Sequence, residues 1–300
     1  MRNRPLAATM SVLGGVAVLG FIDQFVRLIA VESSLWTFHA LRTAMIFALA
    51  AGWLILSGGR LRVLNWRGVI GRSLVMSTGM LVYFGALGFL PVAQAASGLF
   101  SAPIWVMVLS FGLFGLRIGP VRVAAALVGF AGVILVLSPD PANLSVLSLV
   151  PVLSGVFYAV AVIATREWCA GEQALTLALG NFACLGLWGL GGLAVISATG
   201  AAGSDFLDRG WVTPDAGVLW WTFVQAIGSL GAVVLLTRGY QLAEASKVAV
   251  LEYSMFGFSA IFGFLLWRDV LSLSGLLGLA LIAGAGALIA LRGRDAAQPA

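Results

Sequence analysis

Residues 249–258, AVLEYSMFGF, place one carboxylate, Glu252, inside an otherwise apolar segment. A carboxylate in hydrocarbon is costly unless it is paired, protonated or facing water, so Glu252 is either a functional acid or half of a buried contact. Lys247, earlier in the same segment, is one available partner. The second charged group of this kind is FIDQFVR, residues 21–27, where Asp23 and Arg27 stand one helical turn apart. The next segment brings His39 and Arg42 to a similar depth, giving either a structural ion-pair network or a gate. We treat Glu252, His39, Asp23, Arg27 and Arg42 as gate or coupling candidates.

Neutral polar and aromatic residues recur at helical spacing. Gln94, Ser97, Ser101 and Trp105 share one face, as do Ser73, Ser77, Met80 and Phe84, with Tyr83 adjacent. Ser154 and Tyr158, Gln225 and Ser229, and Tyr253 beside Gly257 add further pairs. Interhelical hydrogen bonding explains each alone. Together they fit a pocket for a ligand with a planar side chain and a zwitterionic head. The binding candidates are Trp105, Ser101, Tyr83, Met80, Tyr158, Gln225 and Tyr253. His39 is the sole histidine, so a multi-histidine metal site is excluded. No G-x-x-x-x-G-K-[ST] loop is present, and no cofactor is expected.

The elements that position these groups follow from composition. Of 300 residues, 61% are hydrophobic and 10% charged, against about a quarter charged in soluble domains. Continuous apolar runs exclude a barrel, whose strands alternate. The expected class is an all-α integral membrane protein with ten spans, near 8–30, 36–57, 70–88, 93–114, 121–137, 147–165, 174–197, 218–238, 247–267 and 273–291. The basic start MRNRP, followed by an apolar run without a clear cleavage site, reads as a retained first helix. Cys169 and Cys184 read as free thiols. The basic residues behind the net charge of +5 lie singly or in twos at segment ends, which speaks against a nucleic-acid partner.

Placing the amino terminus inside puts thirteen of the seventeen basic residues, Arg72 included, on the cytoplasmic side. Arg27, Arg209 and Arg268 fall outside. Both termini are then cytoplasmic. Trp36, Trp211, Trp220, Trp221 and Trp267 near one boundary, and Trp66 and Trp168 near the other, agree with indole's preference for the interface. Trp105 and Trp188 fall mid-span, where an indole N–H needs a partner that lipid does not offer. Sliding the chain on itself by 152 residues superposes Leu90 on Leu242, Ala93 on Ala245, Leu99 on Leu251 and Gly132 on Gly284. Two five-helix repeats, 1–140 and 141–300, are therefore expected. Since five is odd, the second is inverted, and a substrate site is expected at the repeat interface.

SAPIWVMVLSFGLFG (101–115) with AALVGFAGVILVLS (125–138), and AEASKVAVLEYSMFGFSAIFGFLLWRD (243–269) with LLGLALIAGAGALIAL (276–291), resemble the paired repeats of the EamA-type drug/metabolite transporters. Leu251-Glu252 matches the Leu-Glu often carried by the family's ninth helix, with Tyr253 in place of the usual proline. Ser101 and Pro103 match its Ser-x-Pro, while the Gly-Glu that closes that helix is absent at Gly115-Leu116. The resemblance implies a bacterial inner-membrane exporter of small metabolites, and in overall character the branch exporting aromatic amino acids is nearest. Exchange of other metabolites against protons is the alternative. An intramembrane lipid-modifying enzyme fits poorly, because the two intramembrane acids, Asp23 and Glu252, lie near opposite faces. Small-molecule substrate and membrane lipids are the expected partners. Reporter fusions to either terminus should both report the cytoplasm; a periplasmic signal from one alone would refute the ten-span topology.

Overall fold

The computed structural model describes residues 4–86, 90, 92–112, 115, 118–137, 146–200 and 203–292. Among them there are only helices, turns and connections, with no strand. The helices are α1 (Pro5–Ile22), α2 (Val26–Glu32), α3 (Leu35–Ser57), α4 (Trp66–Ala86), α5 (Val92–Leu99), α6 (Ala102–Gly112) and α7 (Pro120–Leu137). They continue as α8 (Val150–Glu167), α9 (Ala174–Thr199), α10 (Ala216–Leu242), α11 (Ala245–Glu252), α12 (Ser254–Trp267) and α13 (Leu273–Arg292). Nine described segments are long and apolar enough to cross a membrane, and Leu273–Ile289 adds a shorter apolar helix. The span edges read from the sequence fall close to these bounds; 174–197 against Ala174–Thr199 is an example.

Local chemistry sets the ends. Ser34 and Asp215 cap α3 and α10, accepting the backbone N–H of Thr37 at 3.1 Å and of Val218 at 2.7 Å. Gly58 and Gly200 close α3 and α9 at φ 63° and 66°, a conformation in which an L side chain is strained.

Three spans expected to be continuous are instead broken. In the first, a 3-10 turn at Asp23–Phe25 separates α1 from α2. In the fourth, α5 stops at Leu99 and α6 starts at Ala102, with i→i+3 bonds from Ser101 N to Gly98 O and from Ile104 N to Ser101 O. Pro103 lacks the N–H that a continuous helix needs, which explains this break. In the ninth, the same pattern recurs at Tyr253, whose N–H reaches Val250 O and whose carbonyl accepts from Phe256 N. A mid-helix 3-10 turn frees backbone groups and commonly marks a hinge.

The most extensive helix pairings are α7 with α13, α1 with α10, α4 with α8 and α3 with α9. The exterior is apolar, with Leu56, Ile55 and Phe111 exposed, whereas Arg72, Gln225 and His39 are at most 2% exposed. Polar inside and apolar outside is the arrangement that a hydrocarbon solvent selects. Arg4 N–H donates to Leu242 O, Gln241 donates to Glu172 O at 2.8 Å, and Glu172 Oε1 accepts from Leu64 N and Asn65 N at 2.7 and 2.5 Å. These bonds gather the amino-terminal end and three connections at one end of the bundle. Glu172 is thus a buried clamp between connections. Both cysteines are free and buried.

The α7–α13 contact is backbone to backbone. A Cβ on Gly132 would lie 2.6 Å from Gly278 O, and one on Gly278 would lie 2.5 Å from Gly132 O. Gly132→Leu should therefore destabilise the detergent-purified protein by about 1–3 kcal/mol, as overpacking does. Gly284→Ala, where a Cβ meets nothing within 4 Å, should not. Equal melting temperatures for the two variants would disprove this account of the contact.

Candidate functional site

The broken helices face a cavity of about 240 Å³ in the middle of the bundle. Its wall draws on α1, α3, α4, α5, α6, α8, α9, α10, α11 and α12 and omits α7 and α13. Aliphatic, aromatic and thioether side chains, including Tyr83, Phe84, Phe100, Met76, Met80 and Met255, form most of it. Four charged residues join them: Asp23, Arg42, Arg72 and Glu252. Two acids and two bases leave the wall formally neutral, which lowers the cost of enclosing them.

The charges are grouped at two poles. At one, Asp23 sits on the 3-10 turn after α1, exposed, and lines the cavity. Arg42 on α3 lies within electrostatic reach of it, yet no ion-pair contact joins the two. Arg42 Nη2 donates to His39 Nδ1 at 3.0 Å, and the guanidinium lies over Phe38 at 4.6 Å from its centroid. Gln225 on α10 donates to Ile22 O at 2.6 Å, satisfying a carbonyl freed by the break, and stands beside Asp23. Gln24 ties the same turn to α12 through Ser259 Oγ at 3.0 Å. The sequence FIDQ thus builds a helix interruption that aims Asp23 inward.

At the other pole, Tyr158 Oη on α8 donates to Glu252 Oε1 at 2.8 Å. Glu252 is the last residue of α11, where the helix gives way to the Tyr253 turn. Tyr240 on α10 brings its hydroxyl to the same group, but only the Tyr158 contact has hydrogen-bond geometry, and Tyr240 Oη is left without a partner. Arg72 lies on the other side of Tyr158 and is held by Thr165 Oγ1 at 3.0 Å and Leu177 O at 3.1 Å. On α10, Ser229 and Tyr240 are eleven residues apart, so the wall extends about 16 Å along the bundle.

Of the residues singled out in the sequence, the cavity takes Met80, Tyr83, Tyr158, Glu252, Asp23 and Arg42. Trp105, Ser101, Tyr253, Gln225 and His39 do not line it. Trp105 Nε1 donates to Ser101 Oγ at 3.1 Å, and Ser101 Oγ in turn donates to Gly98 O at 2.6 Å. These two side chains consolidate the α5–α6 break. Trp188, the other mid-span indole, donates to Ser77 Oγ at 3.2 Å, so both indoles find serines. The Tyr253 ring is fully buried on α7, where a Cβ on Gly129 would approach it to 2.5 Å. His39 acts through Arg42. The side chains of Arg27 and Gln94 lie outside the described residues.

Arg72 is the largest correction. Counted above as a cytoplasmic flanking charge, it is 1% exposed and lines the cavity. Its position two residues inside the span edge at 70 was the available signal, and the charge count absorbed it. Asn181 and Tyr240 were also passed over; a lone asparagine in the middle of 174–197 was the visible sign of the first.

A bundle of membrane-length helices around a charged and partly aromatic cavity defines a multi-pass membrane transporter for small molecules. No known protein-family profile matches the chain. It is 30% identical over 224 residues to an uncharacterized transporter of Helicobacter pylori strain J99, covering 73% of this chain and 72% of that one. It is also 30% identical over 207 residues to the pseudopaline exporter CntI of Pseudomonas aeruginosa strain UCBPP-PA14, covering 68% and 66%. A riboflavin transporter of Brucella anthropi is 24% identical over 221 residues, 71% and 72% of the two chains. The chain belongs to the transporter family that includes the Helicobacter protein. A crystal structure 20% identical in sequence superposes with a TM-score of 0.78 over 98% of this chain and 100% of that one, so the fold is shared.

A double-mutant cycle tests the Tyr158–Glu252 contact. Tyr158→Phe and Glu252→Gln should couple by about 0.5–3 kcal/mol in unfolding measurements in detergent. Strictly additive losses would show that the bond contributes nothing.

Proposed function

We propose that this protein is an EamA-type secondary transporter that exports small amphipathic metabolites, aromatic amino acids foremost, by alternating access around the central cavity. The observation that carries the reading is the cavity itself: set within a bundle of apolar exterior, neutral in sum, and walled by spans from both halves of the chain.

Internal symmetry supports two inverted halves. The break at Phe100–Ser101 falls on Glu252–Tyr253 under the same 152-residue shift that aligns the sequence. Exchanging each span with the one five places on turns the α1–α10 pairing into the α4–α8 pairing and leaves α3–α9 and α7–α13 unchanged. Paired discontinuous helices at a midplane cavity are a recurring design of secondary transporters. In this reading the 3-10 turns are hinges, and the two poles of charge lie towards the two gates. Glu252, reached by Tyr158, is the coupling acid for exchange against protons.

The named relatives carry different substrates: pseudopaline, riboflavin and, in a Rickettsia bellii protein 24% identical over 213 residues, S-adenosylmethionine. Substrate choice in the family must therefore reside in the cavity wall rather than in the fold. Here that wall is aromatic and zwitterionic, which supports an amino acid with a planar side chain. The exporter at 30% identity supports the outward direction. The basic flanks support an inner-membrane protein with both termini in the cytoplasm.

Purified protein in liposomes should accelerate equilibration of radiolabelled phenylalanine or tryptophan over a panel of other metabolites. An imposed pH gradient should drive accumulation in wild type and not in Glu252→Gln. Flux unaffected by the gradient would remove proton exchange, and flux of other metabolites without any amino acid would remove the aromatic reading.

A further inference from the structure

The Asp23–Arg42 pole contains polar atoms that the fold itself leaves unused. A guanidinium has five N–H donors. In Arg42 one of them bonds to His39, Nε has no partner, and the residue is 8% exposed. Arginine can only donate, so His39 accepts at Nδ1 and carries its hydrogen on Nε2. His39 is therefore neutral and cannot supply the missing negative charge. Phe38 and Phe182, with centroids 4.6 and 5.5 Å from the guanidinium carbon, fix the plane of Arg42 without using its donors.

Asp23 could supply that charge but does not touch Arg42, although both line the cavity. Two more atoms of the cavity wall are unused. Asn181 Oδ1 on α9 and Ser229 Oγ on α10 are buried, each on a residue 4% exposed, line the same cavity, and have no hydrogen-bond partner. Asn181 precedes Phe182, whose ring meets Arg42 and whose carbonyl accepts from Thr43 Oγ1 at 3.0 Å, so it lies at the depth of Arg42. Buried polar atoms are almost always satisfied, and a cluster of unsatisfied ones on a cavity wall is satisfied by what enters.

We infer that this pole is the head-group subsite for an α-amino acid. The ligand's carboxylate takes the free edge of Arg42, its ammonium takes Asp23 and Asn181 Oδ1, and Ser229 Oγ serves whichever oxygen or N–H is left. The side chain then lies along Met76, Met80, Phe84 and Phe100. An anion without an ammonium leaves Asp23 unanswered; an amine without a carboxylate leaves Arg42 unanswered. Only the zwitterion meets both charges while keeping the site neutral. His39 is a positioning residue that aims Arg42. This assignment rests on the transporter reading above and specifies which end of the cavity holds the substrate's charged head.

The test starts with wild-type protein in detergent and three ligands titrated by calorimetry. L-Phenylalanine should bind. Phenethylamine, which lacks the carboxylate, and 3-phenylpropionate, which lacks the ammonium, should each bind at least about tenfold more weakly. Arg42→Gln should remove the preference for L-phenylalanine over phenethylamine, and Asp23→Asn the preference over 3-phenylpropionate. Should either variant fail to fold, the wild-type series still decides. Equal binding of all three ligands, or of none, overturns the subsite. Liposomes separate the two levels: metabolite flux indifferent to the head group sinks the subsite and leaves the carrier standing, while absence of flux for every metabolite sinks the carrier.

Discussion

Hydrocarbon offers no hydrogen bonds, so each polar group taken into the membrane must find its partner inside the bundle or face an enclosed polar space. That constraint accounts for most of what is distinctive here. Trp105 and Trp188 turn their indole N–H groups to Ser101 and Ser77. Gln225 takes the carbonyl of Ile22 that the first helix releases at its break. Arg72 satisfies itself on Thr165 and on a backbone carbonyl of α9. Of the polar atoms that this internal pairing leaves over, Arg42 Nε, Asn181 Oδ1, Ser229 Oγ and Tyr240 Oη belong to residues that line the cavity.

Breaking a helix inside a membrane is costly, since it frees backbone groups that lipid cannot satisfy. The three breaks occur beside the cavity, and each has identifiable compensation: Gln225 and Gln24 at the first, Ser101 at the second, i→i+3 bonds around Tyr253 at the third. By contrast α7 and α13 run unbroken, pack through Gly132 and Gly278, and contribute nothing to the cavity wall. The bundle thus sets α7 and α13 apart as a brace, while the three interrupted spans and the continuous α3, α4, α8, α9 and α10 together form the cavity wall. Tyr253 belongs to the bracing side, because its ring points at Gly129 while the preceding residue, Glu252, points inward.

Much of the site was legible because charged and aromatic residues are rare enough in apolar segments to be noticed singly. Asp23, Arg42, Glu252, Tyr83 and Tyr158 all carry that signal and all reach the cavity, as does Met80, which helical spacing alone pointed out. Trp105 and Tyr253 carry it equally and do not. Helical periodicity shows which residues share a face but not which neighbour that face meets, and both of these lie at breaks where the face rotates. Arg72 failed for a different reason: an arginine near a span edge looks the same in sequence whether it reaches for the interface or folds back into the protein.

Sequence alone determined that the chain is a bundle of membrane-crossing helices and placed the outer edges of the spans within a few residues, because bilayer thickness imposes a length that apolar runs must match. It also held the correspondence between Leu99 and Leu251, whereas the helix caps and the interruptions at Asp23–Phe25, Phe100–Ser101 and Tyr253 came from the structure. Tertiary structure decided which polar residues satisfy one another and which remain open to a ligand. That outcome depends on distances between helices far apart in the chain, such as Tyr158 to Glu252 or Arg42 to Asp23, and no local pattern encodes them.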